Sequence, residues 1–127
     1  MLHTGDVTTV AALAELEAIG PPVRAVRGNV DEPALRAALP ERLELEWEGL
    51  RIGLVHDAGP AAGRYERLLG RFPGCGLVAY GHTHAPEVSL LDDVSIVNPG
   101  SPTERRRSLY RTMAVVEKGR PRLVTLS

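Results

Sequence analysis

Four short apolar runs in this 127-residue chain each stop at a side chain that can bind a metal ion or transfer a proton. The residues that follow these runs are Asp6, Asn29, His56, and the pair His82 and His84. Short apolar runs bounded by glycine or proline are typical of buried strands. In an open α/β sheet, ligands bind beyond the carboxyl ends of the strands. The pattern therefore favours an α/β sheet with a polar site at the ends of its strands.

The two histidines lie one residue apart in the segment AYGHTHAP, residues 79–86. Gly81 and Pro86 interrupt regular structure on either side, so we expect both imidazole rings on a loop that follows a strand at 77–80. Histidine is the commonest metal ligand and the usual general base. A lone pair of this kind is equally compatible with two solvated loop side chains. Only the polar residues at the other strand ends favour the interpretation of this pair as metal ligands.

The five polar residues together form a mixed set of oxygen and nitrogen donors. A carboxylate, a carboxamide and three imidazoles suit Mn, Zn, Fe or Co better than Ca or a thiolate-bound metal. Each residue taken singly is explained equally well by a turn, where such side chains bond to nearby backbone. Their recurrence at the ends of successive apolar runs favours a shared metal site.

Composition limits the class of protein. With 43% hydrophobic and 24% charged residues, the chain suits a single globular domain over residues 1–127. The formal charge of -1 gives no general attraction to nucleic acid or to an anionic membrane. No segment approaches the roughly 18 apolar residues of a membrane span, and no export signal is visible. The single cysteine, Cys75, excludes an internal disulfide and a cysteine-based zinc cluster, so a cytoplasmic location is expected.

Local signals predict alternating elements in the first half of the chain and hairpins in the second. Thr8 or Thr9 is suited to cap a helix that runs to about Ile19, and Pro33 opens a short second helix. A third helix is expected at about 61–71. Strands are expected at 23–26, 43–47, 50–55, 77–80, 88–91, 94–97, 112–117 and 121–126. The prediction is one α/β domain with a strand-rich C-terminal half.

Five segments resemble, in the same order, the signature blocks of the calcineurin-like metallophosphoesterases. They are HTGD (3–6), RGNVD (27–31), LVHD (54–57), GHTHAP (81–86) and NPGSPTERR (98–106). The resemblance is greatest to the small bacterial and archaeal phosphodiesterases. It implies two packed β-sheets flanked by helices, an α/β/β/α sandwich. It also implies hydrolysis of phosphodiester bonds in a small phosphoester substrate, by a water that metal ions activate.

The same resemblance implies a role for each polar residue. Asp6 would bridge two divalent ions, Asn29, His56 and His82 would complete the shell of one ion, and His84 would belong to the other. Manganese is the expected metal, with Zn, Fe, Ni and Co as alternatives. No catalytic residue is assigned beyond these metal ligands.

Two features depart from the family pattern. The family's first strand carries a DxH block that supplies two ligands to the ion that His84 would serve, and this sequence contains no DxH. A displaced start codon, the loss of one metal and a genuinely short variant compete as explanations. A displaced start is favoured, because a missing first strand would leave the edge of its neighbour unpaired. Larger phosphatases of the superfamily have a histidine where Val30 stands, so diesters with good leaving groups are the favoured substrates.

Several other residues are open to more than one interpretation. Asp31 and Asp57 either support the ligands or are ordinary turn residues. The segment 98–101 is expected to shape a turn near the site. Tyr65, Phe72 and Trp47 are interpreted as packing residues.

Three functions stay open. The first is a metal-dependent phosphodiesterase, and the second is a catalytically impaired scaffold or protein-binding module of the same fold, similar to the retromer subunit. The third is nucleic-acid binding through Arg105, Arg106, Arg107 and Arg111. Balanced charge and few aromatic residues argue against nucleic acid. A membrane partner is not expected, and a homo-oligomer is compatible with the sequence.

Overall fold

A computed structural model describes residues 1–103, 108 and 110–126 of the chain. The helices there are α1 (Val10–Ala18), α2 (Pro33–Ala38) and α3 (Arg64–Arg71). The strands are β1 (Leu2–His3), β2 (Arg24–Ala25), β3 (Arg42–Trp47), β4 (Leu50–Val55), β5 (Leu77–Tyr80), β6 (Glu87–Leu91), β7 (Val94–Asn98), β8 (Arg111–Glu117) and β9 (Arg120–Leu126). The predicted α/β class, with sheets flanked by helices, is confirmed. Arg105, Arg106 and Arg107 of the basic segment lie outside the described residues.

The largest sheet has five strands in the order β3-β4-β5-β7-β6. Its three central strands, β4, β5 and β7, run parallel, and an antiparallel strand closes each edge. Two-residue turns at 48–49 and 92–93 join the edge strands to their partners, and all four turn residues have positive φ. That backbone is typical of the tight turns whose twist matches a β-hairpin. The parallel strands therefore end together at one edge of the sheet.

The two faces of this sheet bury different side chains because residues alternate along each strand. One face contributes Val55, Val78, Tyr80 and Ile96 to a core with Leu68 and Phe72 from α3 and its end. The opposite face contributes Ile52, Leu54, Leu77, Ala79 and Val97, which pack with Val26 and with Ala114 and Val116 of β8. The sheet is thus covered by α3 on one side and by the β8–β9 hairpin on the other.

A smaller unit precedes this sheet. Strands β1 and β2 pair in parallel over two residues each, so β2 is shorter than the predicted strand at 23–26. Thr9 caps α1, and its side chain accepts a hydrogen bond from the amide of Ala12 at 3.0 Å. Leu35 of α2 is buried with Val7 and Ala25. This unit places the segments that follow β1 and β2 next to each other.

Helix α3 begins at Arg64, three residues later than the prediction at about 61. Gly63 directly before it has a left-handed backbone with φ of 70°, which ends the loop from the preceding strand. The loop is held by Arg67, whose guanidinium donates to the carbonyl oxygens of Ala58, Pro60 and Ala62. These bonds hold a turn at 61–63, positions that the sequence pattern assigned to the helix.

The aromatic residues and the cysteine have packing roles. Phe72 is buried, Tyr65 packs at the edge of the same core, and Trp47 is partly exposed on β3. Cys75 is buried as a free thiol, and burial raises its pKa. No helix in the described ranges is long and apolar enough to cross a membrane.

Candidate metal centre

Four of the five predicted ligands come together at the carboxyl ends of the strands. Asp6 lies three residues beyond β1, and Asn29 lies four residues beyond β2. His56 directly follows β4, and His82 lies in the loop after β5. The parallel pairing of β1 with β2 and of β4 with β5 brings together the segments that follow each pair. Contacts of His56 with Thr4 and Asn29 then join the two pairs of segments.

The side chain of His56 is the centre of this cluster. Its Nε2 atom lies 2.8 Å from Oδ1 of Asn29, 3.2 Å from Oδ2 of Asp6 and 3.3 Å from Nδ1 of His82. The same oxygen of Asn29 lies 3.1 Å from Nδ1 of His82. The rings of His56 and His82 meet edge to face, with centroids 5.1 Å apart. Three potential ligand atoms thus lie within 3.3 Å of the Nε2 atom of His56.

The backbone fixes which nitrogen of His56 faces the cluster. Nδ1 of His56 lies 2.7 Å from the carbonyl oxygen of Thr4. A carbonyl oxygen can only accept a hydrogen bond, so Nδ1 carries the proton and donates. In the neutral ring, Nε2 then presents its lone pair to the cluster. Metal-binding histidines are commonly oriented in this way by a carbonyl on their other nitrogen.

These distances fit a shared divalent ion. Two ligands at right angles around an ion, each about 2.1 Å from it, are about 3.0 Å apart. The observed separations lie on either side of that value. A carboxylate oxygen, an amide oxygen and imidazole lone pairs repel one another unless a proton or a cation lies among them. Within the described part of the chain, no group of three or more His, Cys, Asp or Glu side chains could hold a metal ion, and the amide oxygen of Asn29 is a further donor beside His56 and His82.

Two glycines allow the backbone to pass close to the cluster. A Cβ atom at Gly28 would fall directly on the carboxylate and the amide nitrogen of Asp6. A Cβ atom at Gly5 would lie 2.5 Å from Nδ1 of His56, and the backbone there has φ of 104°. Only glycine has both the missing side chain and the tolerance of positive φ that this second position needs.

Three of the five predicted ligands have an unusual backbone. Asp6, His82 and His84 have φ of 59°, 69° and 58°, values that are uncommon for residues other than glycine. Residues in sparsely populated backbone regions concentrate at functional sites, where the surrounding structure holds them. His84 lies two residues beyond His82 on the same loop and is partly buried.

Asn98 supports the loop that carries His82 and His84. Its buried amide nitrogen donates to Oγ1 of Thr83 at 2.9 Å and approaches the carbonyl oxygen of Gly81 at 3.5 Å. Its own oxygen accepts from the amide of Gly100 at 2.9 Å. The segment 98–101 therefore shapes a turn against the histidine loop.

The two aspartates left open by the sequence differ in their contacts. Asp57 is exposed and accepts from the amide of Gly59, two residues away, as an ordinary turn residue does. Asp31 is buried, and both of its carboxylate oxygens accept from backbone amides in the loops of Asp6 and Asn29.

His3 was assigned no role from the sequence but lies close to the cluster. Its Nδ1 accepts from the amide of Gly5 at 3.2 Å. Burial lowers the pKa of His3, and the carboxylates of Asp31 and Asp6 act in the opposite direction. Its position in the HTGD segment, three residues before Asp6, is the signal that could have pointed to it.

A cleft of about 130 Å³ borders the cluster. Its lining residues are Arg27, Asn29, Glu41, Val55, His56 and Asp57. Arg27 forms a long ion pair of 3.7 Å with Glu41, and both side chains are substantially exposed. Pairs of this kind contribute little to stability, so the guanidinium of Arg27 can exchange its partner for an anionic ligand.

Comparison with known families gives a match over most of the chain. Residues 1–119 match the calcineurin-like phosphoesterase superfamily domain. A probable metallophosphoesterase of Methanothermobacter thermautotrophicus is 38% identical over 108 residues, which cover 84% of this chain and 62% of that protein. One from Methanocaldococcus jannaschii is 36% identical over 116 residues, which cover 89% of this chain and 58% of that protein. The chain thus spans about three-fifths of the length of these relatives.

Solved structures with the same fold include an archaeal phosphodiesterase, with a TM-score of 0.79 and 19% identity over 98% of this chain and 81% of that one. Vps29 from Entamoeba histolytica in complex with Zn²⁺ gives a TM-score of 0.72 and 21% identity, covering 98% of this chain and 79% of that one. At these identities the likeness concerns the fold alone.

Proposed function

The chain belongs to the calcineurin-like phosphoesterase superfamily, and on that premise we propose that it is a metal-dependent phosphodiesterase. Its ion would be held by Asp6, Asn29, His56 and His82, with His84 as a ligand of a second ion. The observation that supports this proposal is the convergence on Nε2 of His56 of three other ligand atoms at 2.8–3.3 Å. A divalent cation among these atoms would accept the lone pairs that they direct towards one another.

A bound divalent ion supplies a Lewis acid that withdraws charge from a phosphoryl oxygen and lowers the pKa of a water. The chain's own residues hold the ligands in place for this chemistry. The carbonyl of Thr4 orients the ring of His56, and the amide of Val30 donates to Oδ1 of Asp6 at 2.9 Å. That bond leaves the other oxygen of Asp6 facing the cluster. Ligands held in this way lose little conformational freedom when the ion binds.

The cleft beside the cluster supports a phosphodiester as the substrate class. Arg27 is the one arginine or lysine among its lining residues, and its positive charge would attract the anionic phosphodiester group. Val30 occupies the position where larger phosphatases carry a histidine that protonates the leaving group. Diesters with good leaving groups need this proton least. We propose manganese as the metal, since the mixed oxygen and nitrogen donors suit it.

A non-catalytic scaffold is the second candidate function. The structures of Vps29 support this candidate, because they share the fold. A scaffold does not need to hydrolyse a substrate. The two candidates therefore differ in one measurable property, which is metal-dependent hydrolysis of a phosphodiester.

The test compares metal content and hydrolysis of bis(p-nitrophenyl) phosphate in the wild type, in His82→Ala and in Asn29→Ala. Both variants should bind manganese at least about 100-fold more weakly while their circular dichroism stays unchanged. The matched control is Glu15→Gln, a charge change on the exposed side of α1 that should alter neither property. Unchanged manganese content in both ligand variants, or a wild type that binds manganese without hydrolysing the diester, would favour the scaffold.

A further inference from the structure

The carboxylate of Asp31 joins the two loops that carry Asp6 and Asn29. Oδ1 of Asp31 accepts from the amide of Thr8, and Oδ2 accepts from the amide of Gly28, each at 2.7 Å. Thr8 lies two residues after Asp6, and Gly28 directly precedes Asn29. Both hydrogen bonds are short and have a charged acceptor, which makes them roughly twice as strong as neutral ones.

These bonds differ from those of a turn residue that stabilises only its own loop. Gly28 is three residues from Asp31, but Thr8 is 23 residues away on a different segment. The same two segments are also joined by the amide of Glu32, which donates to the carbonyl of Thr8 at 2.9 Å. Asp31 is only 5% exposed, so water is a poor substitute for its oxygens. The carboxylate of Asp31 is thus a buried side-chain link between the two loops, beside the bonds from the amides of Glu32 and Val30.

We propose that Asp31 is a positioning residue for the metal centre. It sets the distance between the carboxylate of Asp6 and the amide oxygen of Asn29, which must approach a common ion. This inference rests on the proposed function, because it assumes that those two side chains share an ion. Asp31 itself directs both oxygens to backbone amides and so does not act as a ligand.

If Asp31 had a purely structural role, a different result would be expected when it is replaced. Asp31 would then contribute to the free energy of unfolding, and its loss would affect metal binding only as any equal loss of stability does. Supporting residues that orient metal ligands typically alter metal affinity roughly 10- to 100-fold when they are replaced. The two roles are separated by measuring metal affinity at a temperature where every variant is folded.

The experiment uses Asp31→Asn in the full 127-residue chain. The carboxamide keeps one acceptor oxygen but turns an NH₂ group toward the second amide, so one loop loses its partner. Calorimetric titration with Mn²⁺ should give a Kd raised roughly 10- to 100-fold. The visible absorption spectrum of the Co²⁺-loaded protein should also change, because the arrangement of the ligands changes.

The matched control is Leu68→Ala, which creates a cavity in the core beneath α3, away from both loops. It should lower the melting temperature at least as much as Asp31→Asn and leave the Mn²⁺ Kd and the Co²⁺ spectrum unchanged. If Asp31→Asn does not fold, Asp31→Glu takes its place, since the longer carboxylate shifts the loops while keeping both acceptors.

An affinity and spectrum equal to wild type in the folded Asp31 variant would overturn the positioning role. So would an equal loss of affinity in Leu68→Ala, because metal binding would then follow stability alone. A wild type that binds neither Mn²⁺ nor Co²⁺ would instead overturn the proposed function itself.

Discussion

The replacement Gly28→Ala tests the packing of the proposed metal centre with the smallest change available. Gly28 has no positive φ, so alanine is compatible with its backbone, and the whole effect comes from the added Cβ atom. That atom would fall on the carboxylate and amide nitrogen of Asp6. Because one of these contacts is with backbone, a rotation of the Asp6 side chain cannot remove the clash.

The expected magnitude follows from two effects. Forcing an additional methyl group into a packed site costs about 1–3 kcal/mol. Displacement of Asp6 also disrupts the hydrogen bond of 2.9 Å from the amide of Val30, which is worth about 0.5–1.5 kcal/mol. We therefore expect the free energy of unfolding to fall by about 2–4 kcal/mol. For a chain of this size, Tm should fall by on the order of 10 °C.

The assay is denaturant unfolding together with calorimetric titration of Mn²⁺. Gly70→Ala is the matched control, since it makes the same change inside α3 at a position with nothing within 4 Å of the new Cβ atom. Alanine is the better helix former, so this variant should be more stable than wild type by about 0.5–1 kcal/mol. The two glycine-to-alanine substitutions should thus change the free energy of unfolding in opposite directions. A Gly28→Ala protein that matches wild type in stability and Mn²⁺ affinity would refute the close approach to Asp6.

Three further results are expected. Gly5→Ala should lower Tm and Mn²⁺ affinity together, because it adds both a contact of 2.5 Å with His56 and strain at φ of 104°; retention of both properties would contradict the geometry. Burial and a hydrogen bond to Glu87 raise the pKa of Tyr80 from 10 to about 12, so its ionisation, followed by ultraviolet absorbance, should occur well above pH 10. The folded protein holds this proton more tightly than the unfolded chain, so stability should decrease as pH rises from 10 towards 12; a single tyrosine transition near pH 10 would count against this. Finally, the proposed ligands of a second ion are Asp6 and His84, which is fewer than the three or four protein ligands of a stable site, so elemental analysis should find at most one tightly bound ion per chain.

The strands of the five-stranded sheet were predictable because local sequence patterns indicate each of them. The pairs Glu48-Gly49 and Asp92-Asp93 mark tight turns, and the runs on either side of them alternate or are continuously apolar. The observed β4 and β5 have the predicted bounds of 50–55 and 77–80. The start of α3 was not predictable in the same way. It depends on arginine bonds to loop carbonyls and on the backbone of Gly63, which residue types alone do not specify.

The approach of Asp6, Asn29, His56 and His82 was predictable because each follows an apolar run, and parallel strands end at the same edge. The contacts that hold them there were not. The bond from the amide of Thr8 to Asp31 joins residues 23 positions apart, and no local pattern reports a pairing of that length. The residue types of the site can therefore be recognised from short sequence motifs, whereas its geometry depends on the packing of the whole fold.

The left-handed backbone of Asp6, His82 and His84 bears on the choice between enzyme and scaffold. Such conformations cost of order 1–3 kcal/mol per residue and persist only where the surroundings hold them. Glycine would remove that cost at each position, but it would also remove a carboxylate or an imidazole from the proposed centre. Positive φ is not confined to these three residues, since Glu48, Asp92, Asp93 and Lys118 adopt it in the two-residue turns of the hairpins, where the twist of the strands favours it. Outside those hairpin turns, the non-glycine residues with positive φ in the described part of the chain are Asp6, His82, His84 and Thr8. Three of these four have ligand-type side chains, which favours metal binding as the property that offsets their strain.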